Sequence, residues 1–404
     1  MKSRLKAIIK SSRVIYTIYY CLGSFFLRFI GIFIKTDPGL ILFVSYGGQK
    51  YDDSPRVMYE YMEQEGLFSH FHYVWAFTDP EAFPKIKHKV KIDSLQYYIA
   101  ALKAGYWITN SSASRGLNFK KDATKNILFQ HGMAGIKRIG IDIQNKEGTY
   151  RQSFKENFDM IFVEGRKEID ILQRAWGVEK DRFYQTGLPR NDDLIGVGKS
   201  EVEQIKEKLK LPFDKKVILY APTFREHNRS KNKQNYLPMP FDFNQMQARL
   251  GEKYVLLITA HYEVAELLGD LPDNGFVYNA FKYPELNDLL KVADLLVSDY
   301  SSVVFDYSIL ERPILCYGYD YDSYVKDRGF YTDLEKLFSH GVLRTQEDLE
   351  SAILTMDYET ECLYTKNNIK EKYIASAGNA AEKAAKIIFS TDISLNSLQI
   401  KSQG

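Results

Sequence analysis

The sequence is short of cysteine and of net charge. Its three cysteines, Cys21, Cys316 and Cys362, are too few and too widely spaced for a disulfide framework or a metal site, and free thiols are typical of the cytoplasm. Basic residues exceed acidic ones by only two among 404, so nucleic acid is not indicated as the main partner. With 45% apolar and 26% charged residues, the chain has a globular composition and a length that fits two domains.

Several familiar motifs are also absent. There is no P-loop, and Gly47-Gly48 does not lead into the pattern Gly-x-Gly-x-x-Gly of dinucleotide-binding proteins. The nucleophile elbow Gly-x-Ser-x-Gly does not occur. No acidic cluster calls for a metal, so we expect neither a metal nor a cofactor. Any chemistry must come from other side chains.

Short apolar runs alternate with helical patterns from Gly39 onward. Leu40–Val44 and Met160–Val163 have the length and composition of buried strands, whereas Ser54–Gln64 and Arg166–Trp176 have helical periodicity. This alternation is typical of parallel strands joined by crossover helices. The sequence therefore predicts an α/β fold with parallel sheets.

The alternation occurs in two sets. Asp192–Asp214 contains one charged helical pattern and separates them, and the second set begins at Lys216. We therefore expect an N-terminal segment, two Rossmann-like domains and a polar tail, with the bounds 1–35, 36–195, 210–390 and 391–404.

The N-terminal segment, residues 1–35, has seven basic residues and no acidic one. Its apolar run Val14–Ile34 is too long for a cleaved signal peptide, and no small-residue cleavage site follows it. About 20 residues can span a bilayer, but Arg28 inside the run disfavours a transmembrane helix. We prefer a basic, aromatic-rich helix that lies in the interface of an anionic membrane.

Polar residues follow the strand-like runs throughout the chain. Ligands of open α/β sheets bind outside the carboxyl ends of the strands, so two such sheets facing each other would gather these residues in one cleft. Each taken alone has a structural alternative, such as a helix N-cap for the serines. The residues that share this position are His131, Arg190, Thr223, Arg225, His261, Ser301 and Ser302.

These residue types suit phosphoryl transfer. An arginine such as Arg225 can bind a diphosphate through two hydrogen bonds, and the Ser301-Ser302 pair can donate to phosphate oxygens at a helix N-terminus. A histidine can take the proton of an attacking hydroxyl. Asp306 lies four residues after Ser302, on the same helix face.

With these motifs the chain resembles the CDP-glycerol glycerophosphotransferase family of teichoic acid synthases. The similarity runs from about Gly39 to Leu334 and is most specific at Ser298-Asp-Tyr-Ser-Ser-Val-Val-Phe-Asp306. Other matching motifs, in the family's order and spacing, are Ile41–Lys50, Pro55–Tyr61, Leu219–Arg225, His261-Tyr262, Arg312–Leu315 and Arg328–Asp333.

The resemblance implies a GT-B architecture, with two facing Rossmann-like domains and a membrane-associated N-terminal helix. It implies transfer of glycerol phosphate or ribitol phosphate from a CDP-polyol to a hydroxyl of a lipid-linked glycan or of a growing teichoic acid or capsule polymer, with release of CMP. Residues 36–195 would form the acceptor side, and residues 210–390 would bind the CDP-polyol. The enzyme would be peripheral on the cytoplasmic face of the cell membrane, and homo-oligomer formation is left open.

The resemblance also implies residue roles. His131 matches the proposed general base, and His261 matches a second histidine near the diphosphate. Asp306 would meet a polyol or ribose hydroxyl, because a carboxylate repels a diphosphate. Candidate substrate-binding positions are Gln130, Gly132, Arg190, Pro222, Thr223, Arg225, Ser301, Ser302 and Asp306.

Two motifs depart from the family pattern. The family often has Trp-His-Gly-Thr-Pro-Leu-Lys where this chain has Gln130-His-Gly-Met-Ala-Gly-Ile-Lys137, one residue longer before the lysine. Thr259 stands where a basic residue usually precedes the second histidine, which affects how phosphates would be neutralised. The length is closer to the short, primase-like members.

The same residues also fit two rival functions. The same architecture serves glycosyltransferases that use nucleotide sugars in envelope polysaccharide synthesis. A non-catalytic membrane scaffold is a further alternative, although a scaffold has no need for polar groups gathered at strand ends.

Overall fold

The computed structural model describes residues 13–143, 157–223, 239–259, 271–272, 274–375 and 377–390. The expectations for residues 1–12, Arg225, His261 and the tail 391–404 therefore lie outside the described residues. The chain divides into two compact units. Unit 1 comprises Met1–Met133, Gly140–Asp192 and Ser376–Gly404, and unit 2 comprises Ala134–Ile139 and Asp193–Ala375.

Unit 1 is built on a seven-stranded parallel sheet with the strand order β3-β2-β1-β4-β5-β6-β7. The last five residues of β1 are all buried, as expected for a central strand covered on both faces. The strands are β1 (Asp37–Val44), β2 (His72–Phe77), β3 (Lys89–Lys91), β4 (Ala104–Thr109), β5 (Lys125–Phe129), β6 (Met160–Val163) and β7 (Phe183–Gln185). The helices are α1 (Arg13–Phe33), α2 (Asp53–Gln64), α3 (Leu95–Lys103), α4 (Arg166–Trp176) and α14 (Ala380–Ile388).

Unit 2 has a second parallel sheet of six strands, in the order β10-β9-β8-β11-β12-β13. Its strands are β8 (Lys216–Ala221), β9 (Tyr254–Ile258), β10 (Val277–Asn279), β11 (Leu295–Ser298), β12 (Ile314–Tyr317) and β13 (Val342–Leu343). Its helices are α5 (Lys199–Lys208), α6 (Phe243–Leu250), α7 (Leu286–Val292), α8 (Val303–Ser308), α9 (Tyr321–Asp327), α10 (Leu334–Leu337), α11 (Gln346–Thr355), α12 (Tyr358–Thr365) and α13 (Glu371–Tyr373).

The C-terminal helix α14 packs into unit 1. Ala384 and Ile388 are buried in the same core cluster as Ile41 and Phe43 of the central strand. Small alanines on this face let the helix approach the core of unit 1 closely. The N-terminal end of α14 is fixed because the Asp192 carboxylate accepts from the first two amides of the helix, at 2.7 and 2.9 Å. The expected second domain, 210–390, included this helix, whereas the structure assigns Ser376–Gly404 to unit 1.

Helix α1 lies with one face on unit 1. Leu27 is buried with Leu102 and Leu117, and a Cβ at Gly23 would come 3.1 Å from a Leu117 methyl. A larger side chain at that glycine would require the Leu117 side chain to shift.

Polar bonds strengthen the same contact. The Arg28 Nε donates to the Asn118 carbonyl at 2.8 Å, and the Asn118 amide donates to Ser24 Oγ at 2.9 Å. The arginine that disfavours a membrane span thus has a partner in the globular unit.

The other face of α1 is apolar and exposed. Val14–Phe33 is long and apolar enough to cross a membrane by length and composition, and little of it is buried. The exposed large side chains of this face are Val14, Ile15, Ile18, Tyr19, Leu22, Phe25, Phe26, Phe29, Ile32 and Phe33.

Candidate active site

The strand order of unit 1 brings three loops together. Strands β1, β4 and β5 are neighbours and parallel, so the residues after them meet at one edge of the sheet. These residues are Tyr46, Asn110 and His131. They form the candidate site of unit 1.

His131 is exposed and its ring is oriented by the main chain. Nδ1 lies 2.9 Å from the carbonyl oxygen of Asn110. A carbonyl oxygen can only accept, so Nδ1 carries the proton and Nε2 is the nitrogen that can take one up. The ring also packs edge-on against Tyr46, with 6.2 Å between the ring centroids.

Asn110 ties the neighbouring loops to this histidine. Besides its carbonyl contact with His131, its Oδ1 accepts from the amide of Tyr46 at 2.7 Å. The next residue, Ser111, accepts from the amide of Gly47 through its hydroxyl, at 2.9 Å. The loops after β1 and β4 are therefore held in register around His131.

Behind Tyr46 lies a buried carboxylate. The Tyr46 hydroxyl donates to Asp53 Oδ2 at 2.8 Å, and Arg190 Nη1 lies 3.4 Å from the same oxygen. The amide of Ser54 donates to Asp53 Oδ1 at 2.5 Å. Arg190, predicted from its position after β7, thus pairs with a carboxylate of its own unit.

The charge state of this group follows from its partners. Burial pushes the pKa of Asp53 upward, but the Arg190 cation, the Ser54 amide, the Tyr46 hydroxyl and His131 outweigh it, so the pKa lies below its usual range. Burial and the adjacent Asp53 raise the pKa of Tyr46 well above its ordinary value. Asp53 is therefore ionised and Tyr46 protonated near neutral pH.

The residues that flank His131 have different surroundings. Gln130 is buried, and its main-chain amide donates to the Phe162 carbonyl at 3.4 Å. Gly132 is partly exposed. Lys137, which ends the motif that is one residue longer than the family pattern, belongs to unit 2, where it forms an antiparallel bridge with Phe330.

In unit 2, Asp299 organises the corresponding edge. Strands β8 and β11 are neighbours, and Asp299 Oδ1 accepts from the amides of Thr223 at 2.8 Å and Tyr300 at 2.6 Å. Thr223 is buried and Pro222 is partly exposed. Asp299 therefore joins the loops that follow β8 and β11.

The Ser301-Ser302 pair begins the short helix α8. Ser302 is its N-cap residue, but its side chain makes no capping hydrogen bond, and Ser301 Oγ accepts from the Val303 amide at 3.3 Å. Both serines are partly exposed, whereas Asp306 is buried. Thr223 and the two serines therefore follow neighbouring strands of the same sheet.

Three residues in or behind the unit 1 site were not predicted from the sequence. Tyr46 and Asn110 follow strands and Asp53 begins a helix, but nothing in the local sequence distinguishes them from structural residues. The signal that could have found them is the strand order β1-β4-β5, which local sequence does not contain.

The chain is similar to known proteins over most of its length. The sequence profile of the CDP-glycerol:poly(glycerophosphate) glycerophosphotransferase family matches residues 26–390. The teichoic acid poly(glycerol phosphate) polymerase of Staphylococcus epidermidis is 33% identical over 335 residues, which are 80% of this chain but only 44% of that protein. The teichoic acid glycerol-phosphate transferase of Staphylococcus aureus is 29% identical over 406 residues, covering 96% of this chain and 100% of that one.

A solved structure is similar over both units. The wall teichoic acid polymerase TagF superposes with a TM-score of 0.78 at 29% identity, over 89% of this chain and 90% of that one. Together with the two parallel sheets and the apolar N-terminal helix, this similarity confirms the predicted α/β, GT-B-like fold class.

Proposed function

The chain belongs to the CDP-glycerol:poly(glycerophosphate) glycerophosphotransferase family, a family of enzymes, and from this premise we propose its reaction. The protein transfers glycerol phosphate or ribitol phosphate from a CDP-polyol to a hydroxyl of a lipid-linked glycan or of a growing teichoic acid or capsule polymer. The acceptor oxygen attacks the β-phosphorus, the bond from that phosphorus to the bridging oxygen breaks, and CMP leaves.

The observation that carries this proposal is the setting of His131. The Asn110 carbonyl fixes the tautomer in which Nε2 can accept, and the exposed ring can reach a substrate hydroxyl. His131 Nε2 takes the acceptor proton as the P–O bond forms. A positioned general base is worth about 10²–10⁴-fold in rate.

Donor binding is proposed for the polar residues that the sequence places after strand-like runs. Ser301 and Ser302 donate to diphosphate oxygens, which is supported by their partial exposure and by the absence of a capping bond from the Ser302 side chain. Asp306 accepts from a polyol or ribose hydroxyl. Arg190, Arg225 and His261 stabilise the charge that develops as CMP leaves. Pro222, Thr223, Gln130 and Gly132 shape the binding surfaces.

A donor panel tests the reaction. Purified protein is incubated with CDP-glycerol, CDP-ribitol and UDP-sugars and a lipid-linked acceptor, and products are identified by mass. We expect CMP and an acceptor heavier by one or more polyol-phosphate units. Turnover of a sugar nucleotide alone would establish the glycosyltransferase alternative, and full biological function without His131 and His261 would establish the scaffold.

We also propose that α1 binds the cytoplasmic leaflet of the cell membrane without crossing it. One face of the helix contacts unit 1 through the packing of Leu27 and the hydrogen bond of Arg28. Ten large apolar side chains are exposed on the other face. A helix docked along its length on a globular unit suits an interfacial position better than a span. The basic residues before it would add attraction to anionic lipids.

Substitutions on the exposed face test this location better than a deletion. Removing residues 1–35 would uncover Leu102 and Leu117, so a deletion would mix lost binding with lost stability. Phe25→Ser with Ile32→Ser leaves the docked face intact, because these side chains are 71% and 75% exposed. We expect this variant to sediment less with anionic vesicles at an unchanged melting temperature; equal sedimentation would exclude α1 as the anchor.

A further inference from the structure

A line of contacts connects Arg190 to His131 through two residues to which the proposed reaction gives no role. Arg190 pairs with Asp53, Asp53 accepts from the Tyr46 hydroxyl at 2.8 Å, and the Tyr46 ring packs against His131. The Asp53 side chain is only 2% exposed, so its charge is not part of the solvated surface. We call Tyr46 and Asp53 the supporting pair.

We propose that the supporting pair positions His131 and stabilises its protonated form. This proposal rests on the proposed function in that His131 is taken as the general base. The Tyr46 ring limits the rotation of the imidazole from one side while the Asn110 carbonyl holds Nδ1. The Asp53 carboxylate supplies negative charge where an imidazolium forms as the acceptor proton is taken.

The backbone around the supporting pair favours a functional role. Tyr46 has a φ of 46° and Asp53 a φ of 63°, both in the left-handed region that non-glycine residues rarely adopt. Such conformations are strained and persist where the surrounding structure enforces them, often at active sites. Here both serve to aim one hydroxyl at one carboxylate.

The electrostatic balance is set by few groups. Facing the pair are Arg190, His131, Asp52 and Lys50, whose Nζ lies 5.3 Å from the Tyr46 ring centroid. Arg190 offsets part of the Asp53 charge, and His131 is also among the groups that keep the pKa of Asp53 low. Because interaction between two charges is reciprocal, Asp53 favours a proton on His131.

Three variants of the full-length protein separate the contributions. Asp53→Asn removes the charge, and asparagine tolerates a left-handed φ, so the loop can keep its shape. Tyr46→Phe keeps the ring against His131 but removes the hydroxyl. The matched control is Asp52→Asn, which removes the neighbouring carboxylate but keeps an oxygen that can cap α2.

The first measurement is the titration of the His131 ring by NMR with ¹³C-labelled histidine, assigned by the loss of one signal in His131→Asn. In Asp53→Asn we expect the midpoint to move to lower pH by about half a unit or more, since an opposite charge nearby has been removed. Tyr46→Phe should move it less, and Asp52→Asn should leave it in place.

The second measurement is kcat against pH with the active CDP-polyol. We expect the acidic limb of Asp53→Asn to shift by the same amount as the NMR midpoint, and Tyr46→Phe to lower kcat by at least about tenfold with little change in the KM of the donor. An unmoved NMR midpoint in Asp53→Asn, at a wild-type melting temperature, would overturn the inference. A moved midpoint with an unmoved kinetic limb would instead support the pair and remove His131 from the role of base.

Discussion

At the scale of single residues, the most direct prediction concerns His131. His131→Asn should lower kcat by about two to four orders of magnitude, because the attacking hydroxyl loses the group that takes its proton. The measurement is CMP release at saturating CDP-polyol. The matched control is His88→Asn, an exposed histidine of the same unit, which should keep wild-type turnover.

A His131→Asn variant that stays active would contradict the proposed role of His131. If His131→Asn kept a kcat close to that of the wild type, the hydrogen bond to Asn110 would be a structural contact only, and another base would be required. An inactive His88→Asn would point instead to general damage of unit 1.

Sequence alone identifies candidate site residues better than the contacts that hold them in place. His131 and Ser301-Ser302 are candidates because titratable or hydroxyl side chains directly follow apolar runs. Asp53 could not be found in this way, because its importance comes from a left-handed backbone and from Arg190, which is 137 residues away. Contacts of that kind depend on strand order, which no local pattern encodes.

At the scale of secondary structure, long apolar runs were predicted well. Strand β6 and helix α4 begin and end at the predicted residues. The strands β3, Lys89–Lys91, and β13, Val342–Leu343, were missed because they are too short to show a period. They exist as strands only through pairing with β2 and β12.

Helix α14 yields a stability prediction. Asp192→Ala removes both hydrogen bonds to the first amides of the helix, at 2.7 and 2.9 Å, and a negative charge at its N-terminus. We expect a loss of about 1–3 kcal/mol in the free energy of unfolding, measured by urea denaturation. The exposed Asp181 is the control, and Asp181→Ala should change stability by less than about 0.5 kcal/mol. Equal stability of wild type and Asp192→Ala would show that the packing of α14 alone suffices.

A second element-scale prediction depends on pH. Glu311 follows α8 and bonds Lys370 at 2.7 Å, with Lys366 at 3.5 Å. The hydrogen bond from Lys370 holds the pKa of Glu311 below its ordinary value, against burial, and Lys366 adds to the effect. The ion pairs therefore stabilise the fold fully above the usual glutamate range and lose this contribution as pH falls through the lowered pKa.

Glu311→Gln tests that dependence. At pH 7 it should lower the free energy of unfolding by less than about 1 kcal/mol, since the pairs are partly exposed, and the difference from wild type should shrink below about pH 4. The exposed Glu359→Gln serves as the comparison. A difference that stayed constant down to pH 3 would assign the effect to packing and not to charge.

At the scale of the whole molecule, we expect membrane binding to depend more on the distribution of apolar surface than on net charge. The chain carries a formal charge of only +2, so its overall field attracts an anionic surface weakly. The exposed face of α1, by contrast, presents side chains such as Phe25, Ile32 and Phe33 to solvent. Membrane binding by this face should therefore depend mainly on hydrophobic burial.

Salt separates the two contributions. The Debye length falls from about 10 Å at 0.1 M to about 3 Å at 1 M, so attraction between the basic segment 1–13 and anionic lipids should be largely lost at high salt. Burial of apolar side chains is not screened, and a substantial fraction of the protein should remain on vesicles at 1 M salt. Cosedimentation with anionic and with zwitterionic vesicles at both salt concentrations measures this, and Phe25→Ser with Ile32→Ser is the control that should be released. Complete release of the wild type at 1 M salt would mean that charge, and not the apolar face of α1, holds the protein at the membrane.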